Sequence, residues 1–287
     1  AQDPISAFVV RQLFKDETII TTCHYNDDPV SELQQNYELT KGSLISLKAA
    51  FRKFFNAPDQ FICVSEYVAE KSRFFIPEKS KVSIVHNAVD FQTIKQERGI
   101  KRNDKLIITN CGTLEDRKNQ VLLIEVAKDL VSQNYLSFEI WLIGTGPNFH
   151  SYKKLIQDYG LGDVVKLLGW IPKPWKVISQ SGLYIHTATN EAFGYTIIEA
   201  IAAGTYSLAI DTGAIQEVLG DEGLVSQSGA RKTFLDLIMN IDLNLLEGKA
   251  QRQYERASHK FSISAWRDKH SNIYRQKSVH LSEIPVL

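Results

Sequence analysis

Short apolar segments alternate with longer amphipathic segments along most of the chain. The short segments are rich in β-branched residues and are bounded by turn formers, a pattern that predicts buried strands. The predicted strands, some with the loop that follows them, are TIITTCHY (18–25), DQFICVS (59–65), KVSIVHNAVD (81–90), KLIITNCG (105–112), SFEIWLIGTGP (137–147), VVKLLGW (164–170), GLYIHTA (182–188) and YSLAID (206–211).

The longer segments carry apolar residues at helical spacing. The predicted helices are KGSLISLKAAFRKFF (41–55), NQVLLIEVAKDLVSQ (119–133), FHSYKKLIQDYGLG (149–162), GYTIIEAIAAG (194–204) and SISAWRDKHSNIYRQK (262–277). Strands that alternate with helices are typical of a mostly parallel sheet with helices on both faces. The pattern therefore predicts an α/β fold.

A polar segment at 89–104 divides the chain into two parts. Residues 1–88 are few for a complete doubly wound domain, so we expect an incomplete N-terminal domain there, whereas 89–261 has the size of a full domain. We expect residues 262–287 to form a C-terminal helix that crosses back, followed by a tail. The chain begins with AQDPISAFVV and no Met, so we expect its natural N-terminus to be missing.

Composition and charge exclude several classes of protein. Lys plus Arg and Asp plus Glu number 33 each, which argues against nucleic acid as a partner because such binding neutralises phosphates. Cys23, Cys63 and Cys111 are far apart, odd in number and without a C-x-x-C pair, so we expect inert core thiols and neither disulfides nor zinc. With no secretory signal and no apolar run near the ~20 residues of a membrane span, the sequence predicts a cytoplasmic protein.

Three polar, glycine-containing segments follow predicted strands. They are CGTLEDRKN (111–119), GTGPN (144–148) and TNEAFGYT (189–196). In doubly wound sheets, ligands bind outside the carboxyl ends of the strands. We therefore expect these segments to converge on one crevice.

The segment around Gly194 carries the clearest chemistry. A helix that begins at Tyr195 would offer the backbone N–H groups of Gly194, Tyr195 and Thr196 to an anion, helped by the helix dipole. Glu199 lies about one turn into that helix, where its carboxylate can reach a pair of sugar hydroxyls. These features together predict a ligand that has both a phosphate and a ribose.

Charged residues elsewhere complete that predicted site. Glu191 precedes the turn and is expected to face the crevice from the other side. Lys118, with Arg117 beside it, would supply the positive charge that a diphosphate requires.

Several motifs, in order, resemble those of the retaining glycosyltransferases of family 4, which have the GT-B fold. The resemblance covers most of the chain and rests on AQDPISA (1–7), IITTCHYND (19–27), HNAVD (86–90), CGTLEDRKN (111–119), LIGTGP (142–147), VKLLGWIP (165–172), EAFGYTIIEA (191–200) and DTGAIQEVL (211–219). It implies two Rossmann-like domains and a nucleotide-sugar donor.

The resemblance also implies roles for individual residues. Glu199 would hold the donor ribose, Glu191 would contact the transferred sugar, and Lys118 would bind the diphosphate. Gly144 and Gly146 would let the backbone approach the nucleotide. The implied catalytic residues are Glu191, His24 and Lys118, and the implied donor-binding residues are Thr113, Arg117, Lys118, Gly144, Gly146, Trp170, Ile171, Phe193, Gly194, Tyr195, Thr196 and Glu199.

The chain departs from the family pattern at several positions, one of which is the lack of the usual Pro after Thr205. Thr113 stands where the family has an arginine, which makes Arg117 a candidate to replace that phosphate contact. Ala214 replaces the second glycine of a Gly-Gly pair, and Ala88 replaces the glycine of the interdomain motif. These departures point to an altered donor preference or a weakened activity.

Each candidate also has an alternative explanation. Glu191 could be a solvated loop carboxylate, and Arg117 with Lys118 could be a solvated pair beside the acidic Glu115 and Asp116. His24 could be an ordinary polar residue at a strand end, and the GTGP turn could be a simple strand exit.

The predicted helix at 41–55 allows two interpretations. It is amphipathic and carries Lys41, Lys48, Arg52 and Lys53. It could pack as a surface helix with a solvated basic side, or it could lie on the inner face of an anionic membrane.

The sequence thus predicts a metal-independent, retaining glycosyltransferase that uses a UDP- or GDP-sugar, with no other cofactor, and a glycan or lipid-linked acceptor. Metal independence follows from the absence of a D-x-D segment. Lys118, Arg117 and the helix N-terminus would stabilise the departing diphosphate. Two alternatives remain open: a nucleotide-sugar 2-epimerase of the same fold, and a fragment that binds a nucleotide sugar without turnover.

Overall fold

The computed structural model describes residues 3–25, 30, 40–99 and 105–278. The chain divides into two compact units, the first made of residues 1–88 and 263–287 and the second of residues 89–262. Both contain parallel sheets flanked by helices, which confirms the predicted α/β class.

The first unit has a parallel sheet of three strands among its described residues, in the order β1-β2-β3. The strands are Ile20–Cys23 (β1), Gln60–Cys63 (β2) and Lys81–Ile84 (β3), and the helices are Pro4–Leu13 (α1), Lys41–Phe55 (α2), Glu66–Ser72 (α3) and, from the end of the chain, Ile263–Ser278 (α12). Helix α2 coincides with the segment that the sequence pattern predicts. It ends on Phe55, which is buried and stacks on Phe61 of β2 at 5.8 Å between ring centroids.

The second unit has six parallel strands in the order β6-β5-β4-β7-β8-β9. The strands are Leu106–Cys111 (β4), Phe138–Ile143 (β5), Val165–Gly169 (β6), Leu183–His186 (β7), Tyr206–Ile210 (β8) and Leu224–Val225 (β9). The helices are Phe91–Gln96 (α4), Val121–Ser132 (α5), Phe149–Asp158 (α6), Trp175–Ile178 (α7), Tyr195–Ala202 (α8), Ile215–Leu219 (α9), Ala230–Met239 (α10) and Leu243–Lys260 (α11).

Strand order in the second unit reverses between β4 and β7. Strands added after β4 extend the sheet in one direction as far as β6, and the chain then returns to place β7 on the other side of β4. Such a reversal opens a crevice at the carboxyl ends of the two central strands, where ligands of doubly wound sheets bind. The loops that follow β4 and β7 are therefore the positions from which to build a site.

Burial explains why the central strands appear as continuous apolar runs. Every residue of β7 is buried, and so are all residues of β4 except the last, because helices cover both faces of a parallel sheet. The core packs these strands against α5, whose Leu123 and Ile124 are fully buried. Strand β9 has two residues and leaves no periodic pattern, which is why the sequence did not predict it.

The segment at 89–104 is not simply the polar divider that its composition suggests. Its described part contains α4, whose Phe91 and Ile94 are buried in the second unit. The ring of Phe91 meets that of Tyr254 in α11, 5.5 Å apart between centroids. Two apolar residues spaced by one helical turn thus dock a helix that is otherwise polar.

Candidate functional site

The loops that follow β4 and β7 are joined by hydrogen bonds. After β4 the chain makes a short 3₁₀ turn, Asp116–Lys118, and Asn119 ends that turn in the left-handed conformation (φ 51°), which asparagine tolerates better than most residues. The Thr189 N–H donates to the Arg117 carbonyl at 2.9 Å, and the Thr187 hydroxyl donates to the Lys118 carbonyl at 2.7 Å. These bonds hold Lys118 beside the loop that carries Glu191.

The Glu191 carboxylate lies at the centre of a cluster of nitrogen donors. Its Oε2 atom is 2.5 Å from Lys118 Nζ, 3.2 Å from His186 Nε2 and 3.7 Å from Arg117 Nη1. Burial raises the pKa of the Glu191 carboxyl, but the hydrogen bond with His186 and the charge of Lys118 outweigh it and hold the pKa at about 2. Glu191 is therefore a buried anion and not the solvated loop carboxylate of the alternative explanation.

Lys118 and Glu191 are in direct contact. Their side chains form an ion pair in which both are largely buried, and the sequence pattern did not predict this pairing. The Arg117 guanidinium donates to Glu115 Oε1 at 2.7 Å and to the Asn190 carbonyl at 3.2 Å, and its contact with a phosphate stays a prediction.

The main chain of Glu191 is held in place by Gly213. The Ala214 N–H donates to the Glu191 carbonyl at 2.9 Å. Gly213 has φ 57°, and a Cβ atom there would come within 2.2 Å of the Glu191 carbonyl oxygen. The motif DTGAIQEVL, to which the sequence assigned no role, thus supplies the glycine on which the Glu191 loop rests.

Helix α8 begins where the sequence predicted, directly after Gly194. Gly194 has φ 85°, and a Cβ atom there would come within 3.0 Å of Ile197 and Ile215 side-chain atoms. The side chain of Tyr195 is exposed at the first helical position, and Thr196 follows it. Phe193, predicted as a donor contact, is 3% exposed and packs edge-on against Phe261, so its side chain belongs to the core.

Glu199 lies on α8, one turn beyond Tyr195. Burial raises the pKa of the Glu199 carboxyl to about 7. Across the described ranges of the chain, no hydrogen bond or ion pair involves this carboxyl. Glu199 is therefore an acceptor without a protein partner, next to the helix N-terminus.

The glycines of the β4 and β5 loops serve first to pack those loops together. A Cβ atom on Gly144 would come within 2.0 Å of the Gly112 carbonyl oxygen, and one on Gly146 within 2.5 Å of the Leu114 carbonyl oxygen. The sequence predicted that Gly144 and Gly146 allow a nucleotide to approach. The close approach in this structure is to the neighbouring loop, and the nucleotide role stays a prediction. Thr113 is exposed on the same loop, and its carbonyl accepts from the Gln120 side chain at 2.9 Å.

Trp170 and Ile171 follow β6, at the edge of the sheet. Trp170 is 71% exposed, and the preceding Gly169 carbonyl accepts from the Gly144 N–H at 2.8 Å. Three strand spacings separate β7 from β6, which amounts to roughly 14 Å. The loops thus form a row along the carboxyl ends of the strands, from the Glu191 cluster to the exposed ring of Trp170.

Two predicted features belong to the first unit. His24 follows β1 in the first unit, where its side chain is exposed. Helix α2 belongs to the same unit and has Ile45 70% exposed, with exposed Arg52 and Lys53 about two turns further on.

Two residues of the site were missed by the sequence analysis. His186 and Tyr184 lie on one face of β7, and both are buried. Tyr184 Oη donates to Thr196 Oγ1 at 2.8 Å and lies 3.5 Å from His186 Nδ1. The only signal in the sequence was the placement of two polar groups two residues apart in the apolar run GLYIHTA.

Comparison with known proteins identifies the family of this chain. Residues 90–260 match the family model described as glycosyl transferases group 1, and residues 1–93 match the model described as Glycosyltransferase Family 4. The chain belongs to the glycosyl transferases of group 1. This confirms the resemblance that the ordered motifs carry.

Individual relatives agree with the family match. The chain is 30% identical over 202 residues to the phosphatidylinositol N-acetylglucosaminyltransferase GPI3 subunit of Saccharomyces cerevisiae, covering 67% of this chain and 44% of that protein. It is 23% identical over 283 residues to N-acetyl-α-D-glucosaminyl L-malate synthase of Bacillus anthracis, covering 94% of this chain and 71% of that protein. The chain thus spans less than half the length of the yeast subunit.

A solved structure supports the fold assignment. HepE from Anabaena, crystallised with UDP and glucose, superposes with a TM-score of 0.73 at 17% identity, covering 95% of this chain and 74% of that one. Together with the family match, this confirms the GT-B fold. None of the helices within the described ranges is both long enough and apolar enough to span a membrane.

Proposed function

We propose that this chain forms the donor-binding part of a retaining glycosyltransferase that moves a sugar from a nucleotide sugar to a glycan or lipid-linked acceptor. One observation carries the proposal: the buried cluster of Glu191, Lys118 and His186 adjoins the N-terminus of α8, and Glu199 lies on that helix. The arrangement combines the helix N-terminus as an anion site, the positive charge of Lys118 and the buried Glu199 carboxyl as a hydrogen-bond acceptor. A nucleotide sugar presents a diphosphate and hydroxyl groups that match these features.

The first donor to test is UDP-N-acetylglucosamine. The names of the yeast and Bacillus relatives both include the N-acetylglucosaminyl group, and HepE was crystallised with UDP. A GDP-sugar is the second donor to test. Because the names of these relatives imply different acceptors, we leave the acceptor as a glycan or a lipid-linked molecule.

The charges of the site favour stabilisation of the leaving group. As the bond to the sugar breaks, negative charge grows on the diphosphate, where Lys118 and the α8 N-terminus are able to meet it. Lys118 must then turn from Glu191 toward the phosphate, which leaves the Glu191 carboxylate to accept from sugar hydroxyls. The acceptor attacks from the face that the diphosphate leaves, which gives retention at the anomeric carbon. A catalytic role for His24 stays a prediction of the family resemblance.

We propose that this chemistry requires no metal. Lys118, Arg117 and the α8 N-terminus supply the positive charge that a metal gives the diphosphate in other enzymes. Donor binding and turnover should be unchanged after treatment with EDTA. Strict dependence on added Mg²⁺ or Mn²⁺ would contradict this part of the proposal.

Helix α2 is a candidate for peripheral contact with a membrane that holds a lipid-linked acceptor. Ile45 would enter the interface, and Arg52 and Lys53 would meet anionic headgroups. Sedimentation with phosphatidylserine vesicles should recover the wild type and lose the variant that combines Ile45→Ser with Arg52→Gln and Lys53→Gln. Equal recovery of both would favour the ordinary surface helix.

Three assays on the full-length protein decide among the candidate functions. A transferase binds UDP by calorimetry and releases UDP from UDP-N-acetylglucosamine with retention at the anomeric carbon. The epimerase alternative would produce a sugar with inverted C2 instead. The binding-fragment alternative would bind the donor with no turnover, and it would replace the transferase proposal if several donors gave that result.

A further inference from the structure

The strand β7 carries a hydrogen-bonded pair beneath the proposed donor site. Tyr184 and His186 are 0% and 2% exposed, so neither side chain can contact a ligand directly. Each nevertheless contacts a residue that faces the site. His186 Nε2 lies 3.2 Å from Glu191 Oε2, and Tyr184 Oη lies 2.8 Å from Thr196 Oγ1.

The ionised state of Glu191 decides which ring nitrogen of His186 carries the proton. A carboxylate with its pKa held at about 2 only accepts hydrogen bonds, so the His186 Nε2 atom must carry the proton. Burial lowers the pKa of His186, which leaves the ring neutral at pH 7 and its Nδ1 atom an acceptor. The groups that face His186 are Glu191, Lys118, Arg117 and Tyr184.

The single proton of the Tyr184 hydroxyl decides whether the Thr196 hydroxyl accepts a hydrogen bond from Tyr184 or donates one to it. Three acceptors surround Tyr184 Oη: Thr196 Oγ1 at 2.8 Å, the Cys111 carbonyl at 3.4 Å and His186 Nδ1 at 3.5 Å. The shortest distance assigns the proton to Thr196. Because the Thr196 hydroxyl then accepts from Tyr184, its own proton is available to a ligand at the second position of α8.

We propose that Tyr184 and His186 are positioning residues of this site: His186 presents the Glu191 carboxylate toward the sugar, and Tyr184 turns the Thr196 hydroxyl into a donor for the distal phosphate. This proposal rests on the donor-binding function proposed above. It extends the site to two buried side chains that never touch the donor. Both act through a hydrogen bond whose direction is set by a buried neighbour.

The Tyr184 arm is tested by a double-mutant cycle on UDP binding. Tyr184→Phe and Thr196→Val each remove one hydroxyl and keep the shape, and each should weaken UDP binding about 5-fold, the effect of one hydrogen bond of ~1 kcal/mol. The double variant should be no weaker than either single variant, because both changes break the same link. Additive losses, or unchanged binding by Tyr184→Phe, would overturn this arm. Tyr206→Phe is the control, since it deletes a buried hydroxyl on β8 away from the site.

The His186 arm is tested with two variants of one residue. His186→Gln can still donate to Glu191, whereas His186→Leu cannot. We compare the affinity for UDP-N-acetylglucosamine with the affinity for UDP in each variant. His186→Gln should keep this ratio within about 2-fold of the wild-type ratio. His186→Leu should lower it about 10-fold, which is the effect of losing a hydrogen bond to a charged group. Equal ratios in both variants would overturn this arm.

A spectroscopic measurement separates this proposal from the proposed function. Imidazole ¹⁵N shifts of the ligand-free protein, assigned by the signal lost in His186→Gln, should show a neutral ring protonated at Nε2 at pH 7. A ring protonated at Nδ1, or an imidazolium, would overturn the positioning proposal even if donors bind. If the tautomer is as expected but the wild type binds no nucleotide, the proposed function fails and the proposal that rests on it is withdrawn as well.

Discussion

Gly213 supports the main chain of Glu191 so closely that a Cβ atom at position 213 would come within 2.2 Å of the Glu191 carbonyl oxygen. The two residues are joined through Ala214, whose N–H donates to the same carbonyl. The position of the buried carboxylate therefore depends on a glycine in the next loop of the sheet. Lys118, in the loop on the other side, then pairs with that carboxylate.

Replacement of Gly213 by Ala should destabilise the protein and displace Glu191. The new methyl group would meet the Glu191 backbone, and φ of 57° is itself costly for a residue with a side chain. Gly160→Ala is the matched control, because Gly160 has φ 66° but open space around its Cβ position. Urea unfolding should show a loss of ~1 kcal/mol for Gly160→Ala and a distinctly larger loss for Gly213→Ala. Equal losses of unfolding free energy in the two variants would mean that the Glu191 loop can move away from the new methyl group without cost.

Glu191→Gln should abolish transfer and leave the affinity for free UDP undiminished. The amide cannot replace the charged carboxylate as the acceptor of hydrogen bonds from the sugar. The substitution also releases Lys118 from its ion pair, so the contacts of Lys118 with the phosphate are not weakened. Calorimetry with UDP and a transfer assay on the full-length protein measure the two properties. A parallel loss of both would indicate a damaged fold, and circular dichroism checks that outcome.

Lys118→Met should lower turnover more than it lowers donor affinity. The negative charge on the diphosphate grows as the sugar departs, so the lysine stabilises the transition state more than the bound donor. A loss of about 100-fold in kcat against about 10-fold or less in UDP affinity is expected for a group of this kind. Lys154→Met serves as the control for a lost surface charge, because Lys154 is exposed on α6. Equal losses in kcat and in affinity would remove Lys118 from the catalytic step.

Glu199 should make the stability of the folded chain fall as the pH rises. Its pKa is raised by burial to about 7, above the value near 4.5 for an unburied glutamate, so the folded state binds the extra proton between these values. Stability contributed by the protonated carboxyl is full at low pH and is lost as the pH passes from about 5 to about 7. Glu199→Gln should therefore be more stable than the wild type by roughly 3 kcal/mol at pH 8, and by less than about 1 kcal/mol at pH 5. Urea unfolding at the two pH values checks this, and a difference that does not change with pH would contradict the assignment.

The same group should make UDP binding depend on pH in the opposite direction. Only the ionised Glu199 carboxylate accepts from both ribose hydroxyls, so affinity should rise from pH 6 to pH 8. The Glu199→Gln variant should bind UDP about 10-fold more weakly at pH 8 and show no such rise. A 2′,3′-dideoxy nucleotide that binds as tightly as its parent would exclude contact between Glu199 and the ribose.

Local pattern determined the strands and the principal helices of this protein. Predominantly apolar runs identified β4, β5 and β7, because most residues buried on both faces of a sheet are apolar. The glycines at the strand ends, and the helix that begins after Gly194, were also evident because backbone conformation is a local property of the residue. Glu191, Glu199 and Lys118 were named from their place in the segments that follow predicted strands, and the ordered motifs added the family and the roles of these residues.

Tertiary structure decided which of these residues meet. Lys118 and Glu191 are 73 positions apart, and they pair because the strand order places β4 beside β7, which no local pattern encodes. Tyr184 and His186 resemble ordinary core residues until the direction in which their side chains point is known. The close contact between Gly144 and Gly112 likewise becomes visible only in the folded chain. Propensity and periodicity act over a few residues, whereas a site at a strand reversal is built from segments that only the completed sheet brings together.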